Sequence, residues 1–119
     1  NDQFGHTTGD RVLKRVSEVM MNAVRSIDIV GRFGGDEFVI ILPETDTYFA
    51  AHMAELLRFD IAKTDISREI SDRMVNKITA SIGIATFPLH GISTEVLVDH
   101  ADEALYRAKT GGRDRVVVY

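Results

Sequence analysis

The spacing of apolar residues along the chain predicts three amphipathic helices. From residue 8 to about residue 24, apolar side chains recur every three or four residues, as on the buried face of a helix (Val12, Val16, Val19, Met20 and Ala23). A second face of this kind follows the helix-start signal Asp46-Thr47 (Phe49, Met53, Leu56, Leu57 and Ile61). A third precedes Gly111-Gly112, which is typical of a helix end (Leu97, Ala101, Ala104, Leu105 and Ala108).

Other apolar runs have the pattern of strands. Residues 38–42 are continuously apolar and stop at a proline, which predicts a strand buried on both faces. Residues 29–33 precede it as a second strand, so Gly34-Gly35 falls where a hairpin would turn. Residues 78–85 alternate in the period of a strand with one face toward the core, and residues 116–118 predict a last strand.

The order of these elements predicts the fold class. Helix, hairpin, helix, strand, helix and strand in succession indicate an α+β fold, an α/β sandwich with the helices packed on a largely antiparallel central sheet. A chain of 119 residues with 45% hydrophobic residues suits one domain and is too short for two cores. We therefore expect a single domain over residues 1–119.

Composition narrows the class of protein. The chain has no cysteine, which excludes disulfides and thiolate metal sites and fits a cytoplasmic location. Its formal net charge of −4 argues against a binder of the nucleic-acid backbone, so any nucleotide should be small and held locally. No apolar run has the length of a membrane span and no signal-peptide pattern opens the chain, so we expect no membrane contact by this domain.

The segment Gly-Gly-Asp-Glu, residues 34–37, allows two interpretations. In the first it is an ordinary hairpin turn, in which glycines supply positive φ and acids keep the tip hydrated. In the second, Asp36 and Glu37 are fixed beside a rigid strand, as the carboxylates of a metal site need to be, and the glycines let a ligand approach the backbone closely. Turn statistics alone favour the first interpretation.

Three motifs in one order resemble the GGDEF family, the diguanylate cyclases. Residues 34–38 resemble its signature loop, residues 1–10 its segment ND-x-x-GH-x-x-GD, and residues 104–116 (ALYRAKTGGRDRV) its segment Y-x-A-K-x-x-G-R-N. Together they cover nearly the whole chain. The resemblance implies a nucleotidyl-cyclase or ferredoxin-like palm architecture. It also implies condensation of two GTP molecules into cyclic di-GMP, with release of pyrophosphate, in bacterial signal transduction.

The resemblance assigns roles to the acidic loop. Asp36 would bind the metal ion, Mg²⁺ or Mn²⁺, and Glu37 would help to deprotonate the attacking hydroxyl or hold a second metal ion. Both are therefore candidate catalytic residues, and the division of roles between them stays open. Gly34 and Gly35 would contact the substrate.

Further substrate contacts are implied at both ends of the chain. Asn1 and Asp10 would hydrogen-bond guanine, which makes GTP the expected substrate for both halves of the product, although Asp10 also fits a helix-capping acid. Lys109 and Arg113 would bind the β- and γ-phosphates. The alternative is that these two cations only complement the dipole of the third helix.

A separate product-binding site is implied before the acidic loop. Arg25 and Asp28 match the inhibitory R-x-x-D motif of the family at its spacing before Gly34, and Arg58 would supply a third cationic contact to cyclic di-GMP. An arginine and an aspartate three residues apart are otherwise often only a solvated ion pair. The resemblance thus implies inhibition by the product.

The sequence departs from the family before the position of Asn1. Members carry, before the position of Asn1, a strand with another metal-binding aspartate and a Phe-Lys pair, and this sequence begins after that first strand. The chain as written is therefore expected to be catalytically weak or inactive, although its domain should be active as a homodimer, since one site holds one GTP. Two other classes stay open: a non-catalytic sensor of cyclic di-GMP or GTP, and a structural dimerisation module.

Overall fold

The computed structural model describes residues 6–69 and 77–119, and the side chains from residue 8 onward. In these ranges the chain forms three helices and four strands: α1 His6–Ala23, β1 Ile29–Arg32, β2 Phe38–Ile41, α2 Thr47–Ala62, β3 Ser81–Ile84, α3 Thr94–Thr110 and β4 Arg115–Val118. The predicted α+β class is confirmed. The contacts divide the chain into two compact units, Asn1–Pro43 with Asp60–Ile78 and Glu44–Phe59 with Thr79–Tyr119.

The core of the first unit is the apolar face of α1. Val12 and Met20 are buried on this helix, and Val12 packs against the fully buried Ile66. Val16 and Ile78 cover the same cluster. The predicted helical face is therefore confirmed at Val12, Val16 and Met20, whereas Ala23, at the end of that face, is exposed. The helix begins at His6, two residues before the predicted start.

The first unit also contains the predicted hairpin. β1 and β2 pair antiparallel, from Ile29 opposite Ile41 at the open end to Arg32 opposite Phe38 at the turn. The prediction that the second strand is buried on both faces is wrong. Ile41 is 53% exposed and Ile29 58% exposed, because the hairpin is a two-stranded sheet within the described residues and its open end is not covered by them.

The second unit is built on α3 and two strands. β3 and β4 pair in parallel, with Ser81 opposite Arg115 and Ile84 opposite Val118. This pair differs from the antiparallel order expected for most of the sheet. The reason is that α3 connects the two strands as a crossover, which brings the chain back in the same direction. A Cβ on Gly83 would overlap Ala101 O and Leu105 N, so a glycine lets the strand backbone contact the helix directly.

Helix α2 begins where the start signal predicts, because Asp46 Oδ1 accepts the Phe49 N–H at 2.9 Å. Its predicted buried face is confirmed at Leu57 and Ile61 and differs from the structure at other positions. Phe49 is 59% exposed and Leu56 52% exposed, whereas the buried stripe is formed by small and branched residues (Ala50, Ala54, Leu57 and Ile61). The helix is apolar on most of its surface, so periodicity did not identify the side that the fold covers. None of the helices in the described ranges combines the length and apolar character of a membrane span.

Candidate functional site

The acidic loop closes the hairpin between β1 and β2. Across its base, the Phe33 N–H donates to the Glu37 carbonyl at 2.8 Å. The Arg32 side chain also contacts the loop, since its Nε donates to the carbonyls of Gly34 and Gly35, at 3.2 Å each. Arg32 therefore fixes the path of the loop backbone. It was missed as a site residue, although an arginine directly before Phe-Gly-Gly in a hairpin was a visible signal.

The two glycines of the loop are not required by the local backbone. Among the described residues, the glycines with positive φ are Gly91 and Gly112, so Gly34 and Gly35 do not supply the left-handed turn that the plain-hairpin interpretation expected. A Cβ added to Gly34 or to Gly35 would have no described atom within 4 Å. Each glycine therefore faces open space that a side chain would otherwise fill.

The loop carries two consecutive acidic residues directly after these glycines. Asp36 is exposed, and none of the described residues makes a hydrogen bond or ion pair with its carboxylate. Glu37 is half-buried. The described residues contain no group of three or more His, Asp or Glu side chains that would form a complete protein metal cage. One or two carboxylates are nevertheless what Mg²⁺ takes from a protein when substrate phosphates and water complete its shell, so the donor set fits this ion.

Arg25 and Asp28 form an ion pair in the segment between α1 and β1. The Asp28 carboxylate accepts the Arg25 backbone N–H at 2.7 Å and the Arg25 Nη2 at 2.8 Å, and its side chain is fully covered. Arg25 Nη2 also donates to the Pro43 carbonyl at 3.2 Å. The hydrogen bonds from the Arg25 side chain hold the pKa of Asp28 below its usual value, and the same pair raises the pKa of Arg25. The motif is thus a preorganised pair, with a guanidinium that is 43% exposed.

The basic residues of the last motif lie at the end of α3. Ser93 caps the start of this helix by accepting the Val96 N–H at 3.2 Å, and Gly111 closes its other end by donating to the Arg107 carbonyl at 2.9 Å. Lys109 is half-buried in the last turn. Arg113 follows in an exposed loop with φ 64°, and no described residue makes a hydrogen bond or ion pair with its guanidinium.

Arg58 lies on α2 and has two acidic partners. Its Nη2 donates to Glu55 at 3.1 Å, one helical turn earlier, and its Nη1 donates to Asp114 at 2.9 Å in the loop after α3. These hydrogen bonds raise the pKa of Arg58, that from Glu55 most. Asp114 was not identified as a site residue from the sequence.

The structure brings some of the predicted residues together. Arg25 contacts Asp28, and Asp36 lies beside Glu37 in one loop. The remaining predicted substrate residues belong to different elements: Asp10 is exposed on α1 of the first unit, and Lys109 and Arg113 lie at the end of α3 in the second unit. Asn1 lies outside the described residues. That these groups meet around one nucleotide, and that Arg58 joins Arg25, stay predictions.

This α+β chain has an exposed acidic loop in the β1–β2 hairpin and a basic loop after α3. Nucleotide chemistry needs both charge types, since carboxylates hold a metal ion and cations bind phosphates. The chain belongs to the GGDEF-domain family, since the family model described as "Diguanylate cyclase, GGDEF domain" matches residues 1–115.

Named relatives and solved structures agree with this family. The chain is 41% identical over 119 residues to diguanylate cyclase DosC of Escherichia coli and 38% identical over 117 residues to response regulator PleD of Caulobacter vibrioides. The two alignments include 100% and 98% of this chain but only 25% and 26% of the relatives. The chain therefore spans about a quarter of the length of these relatives.

Two crystal structures have a similar fold. The GGDEF domain of YfiN (also named TpbB) from Pseudomonas aeruginosa matches with a TM-score of 0.86 and 32% identity, over 99% of this chain and 72% of that one. The GGDEF domain of DgcB from Caulobacter crescentus, solved in complex with c-di-GMP, matches with a TM-score of 0.82 and 32% identity, over 99% of this chain and 68% of that one. The family and the enzyme class that the sequence motifs predicted, a GGDEF domain of the diguanylate cyclases, are confirmed by these matches.

Proposed function

We propose that this chain is the GGDEF domain of a diguanylate cyclase that condenses two GTP molecules into cyclic di-GMP. The 3′-hydroxyl oxygen of each nucleotide forms a bond to the α-phosphorus of the other. The bond from that phosphorus to the β-phosphate bridging oxygen breaks, and pyrophosphate leaves. Two such transfers close the ring and release two pyrophosphates, and the hydroxyl protons pass to a carboxylate or to water.

The acidic loop carries this proposal. Gly34 and Gly35 adopt ordinary backbone conformations and would tolerate a Cβ sterically, so the fold of the loop does not explain why both are glycine. A ligand lying against the loop backbone does explain it, because side chains there would occupy its space. Asp36, exposed directly after the two glycines, supplies the carboxylate that phosphoryl transfer calls for.

Asp36 and Glu37 divide the work at the reacting centre. Diguanylate cyclases of this family generally depend on a metal ion, and Asp36 is the carboxylate that would hold Mg²⁺ or Mn²⁺. When bound, such an ion neutralises charge on the triphosphate and on the attacking oxygen. Glu37 is half-buried and held at the base of the loop by the Phe33 N–H, so it is positioned to accept the hydroxyl proton or to support a second metal ion.

The other residues bind the ends of the nucleotide. Asp10, together with Asn1, accepts and donates hydrogen bonds at the guanine edge, which selects GTP over ATP. Lys109 and Arg113 bind the β- and γ-phosphates and stabilise the leaving pyrophosphate through charge-assisted hydrogen bonds. Each domain holds one GTP, so the active species is a homodimer whose two sites face each other.

Product binding is assigned to the Arg25–Asp28 pair. Asp28 holds the Arg25 guanidinium in place, so little side-chain freedom is lost when that guanidinium binds a phosphodiester or stacks on guanine. Arg58 is the proposed third cation. Occupation of this site by cyclic di-GMP would inhibit the enzyme, and the DgcB complex with c-di-GMP supports a product-binding role in the family.

The test is synthesis of cyclic di-GMP from GTP and Mg²⁺ by the full-length protein, followed by chromatography. Asp36→Asn should abolish product while GTP still binds, because the metal ligand is lost and the base and phosphate contacts remain. Glu18→Gln is the matched control. Glu18 is an exposed acid of α1, and its Oε2 lies at the long ion-pair distance of 3.5 Å from Arg15 Nη1. Full activity in Asp36→Asn would refute the proposal.

The alternative function is a non-catalytic sensor of cyclic di-GMP. The preorganised Arg25–Asp28 pair favours it, because that pair needs no catalytic loop. A sensor would bind cyclic di-GMP, lose that binding in Arg25→Ala, and make no product from GTP. Synthesis of cyclic di-GMP by the unmodified protein would exclude it.

A further inference from the structure

The loop that carries Arg113 has an unusual backbone. Gly112, Arg113 and Asp114 are consecutive residues with positive φ, at 121°, 64° and 46°. Glycine adopts such values readily and aspartate tolerates them, whereas arginine does so at a cost in conformational energy. A backbone conformation of this energy persists only when other contacts stabilise it. The orientation of the Arg113 side chain therefore depends on those contacts.

Three contacts within the second unit hold the loop. The Arg113 N–H donates to the Ala108 carbonyl at 2.9 Å, which ties the loop to the end of α3. Arg115 Nε donates to the Arg113 carbonyl at 3.0 Å. The third contact comes from a distant part of the chain, since Arg58 Nη1 on α2 donates to Asp114 Oδ1 at 2.9 Å.

Of the three contacts, the one from Arg58 connects the loop to a different helix, α2, and is therefore best able to fix its position. The Arg58 side chain is only 26% exposed, and Glu55 holds its other edge through Nε at 3.2 Å and Nη2 at 3.1 Å. A guanidinium fixed on a helix in this way has one remaining edge for Asp114. Asp114 is thereby held in its left-handed conformation directly beside Arg113.

We propose that Arg58 is a positioning residue for the substrate phosphates: through Asp114 it holds the left-handed loop that directs the Arg113 guanidinium. This inference rests on the proposed function, in which Arg113 binds the β- and γ-phosphates. It gives Arg58 a role in substrate binding that is separate from its proposed contact with the product. Arg58 variants should therefore change the affinity for phosphates even where no cyclic di-GMP is present.

The test is a double-mutant cycle on Arg58→Ala and Asp114→Ala in the full-length protein. Each variant should raise the KM for GTP about tenfold, the size of one lost charge-assisted contact, with kcat changed less. The double variant should be no worse than either single variant, because both remove the same contact. Arg58→Lys should recover part of the loss. Arg107→Ala is the matched control, since it removes an exposed arginine of α3 that pairs with Glu103 and should leave the KM unchanged.

A binding measurement separates positioning from a general loss of structure. Calorimetric titration with inorganic tripolyphosphate should show about tenfold weaker binding to Arg58→Ala, whereas GMP, which lacks the β- and γ-phosphates, should bind both proteins equally. Weakened binding of GMP and tripolyphosphate alike would mean that the fold has loosened and would overturn the inference.

The two proposals fail in distinguishable ways. If the unmodified protein makes cyclic di-GMP and Arg58→Ala leaves the KM and tripolyphosphate binding unchanged, the positioning role is wrong and the cyclase stands. If the unmodified protein makes no cyclic di-GMP, the proposed function fails, and the tripolyphosphate titration still decides whether Arg58 positions a phosphate-binding loop.

Discussion

Replacing Gly34 by alanine adds one methyl group to the acidic loop and tests whether a ligand occupies the space beside it. The backbone at this position has no positive φ, and a Cβ would meet no described atom within 4 Å. The substitution should therefore change the free energy of unfolding by no more than about 1 kcal/mol, and in the stabilising direction, because alanine restricts the unfolded chain. In the proposed complex, however, the methyl group displaces the nucleotide from the loop backbone.

The expected loss of activity follows from that displacement. A shift of about 1 Å in a reacting group costs on the order of a hundredfold in rate, or about 2.7 kcal/mol in the activation barrier. We therefore expect kcat/KM for cyclic di-GMP synthesis to fall about a hundredfold in Gly34→Ala, with the urea midpoint of unfolding unchanged or slightly raised. Steady-state kinetics and urea unfolding monitored by circular dichroism measure the two quantities on the same preparation.

Gly83→Ala is the opposite case and serves as the control. Its Cβ would overlap Ala101 O and Leu105 N and lie 2.8 Å from Leu105 Cα, so β3 and α3 would have to separate. This variant should lose about 1–3 kcal/mol of stability or more. If Gly34→Ala keeps kcat/KM within about threefold of the unmodified protein while its stability is also unchanged, no ligand approaches the loop, and the plain-hairpin interpretation is right.

Three further predictions concern single contacts. The Arg25 hydrogen bonds lower the pKa of Asp28, so the stability from this pair should be complete above the unfolded value of about 4 and be lost as pH falls through the lower folded value; ¹³C NMR titration of the carboxyl should show that value rising in Arg25→Ala. The Thr86 N–H donates to His90 Nδ1 at 2.9 Å, so His90→Leu should cost about 1–2 kcal/mol in urea unfolding, and His90→Asn, which keeps an acceptor, clearly less. Asp46→Ala removes the cap of α2 and should cost about 0.5–2 kcal/mol by the same measurement, whereas an unchanged midpoint would show that another group replaces the cap.

Local signals predicted the elements well. Asp46 marked the start of α2, Gly111 the end of α3, and the glycine pair marked the hairpin turn, because caps and turns depend on a few neighbouring residues. Burial was predicted less well. The exposed Phe49 was assigned to the buried face of α2, because a helix that is apolar on most sides offers several candidate faces.

The sequence by itself determined the family, the α+β class and the identity of the candidate residues, because motifs preserve residue types in order. Only the tertiary structure showed that a Cβ on Gly34 would meet no described atom within 4 Å, that the Asp28 side chain is fully covered, and that Arg58 contacts Asp114, 56 positions further along the chain. Exposure and long-range contacts depend on which parts of the chain the fold brings together, so a sequence motif shows which residues are present but not how far the structure covers or joins them. The parallel pairing of β3 with β4 has the same origin, since the packing of α3 against β3 decides which way the chain returns.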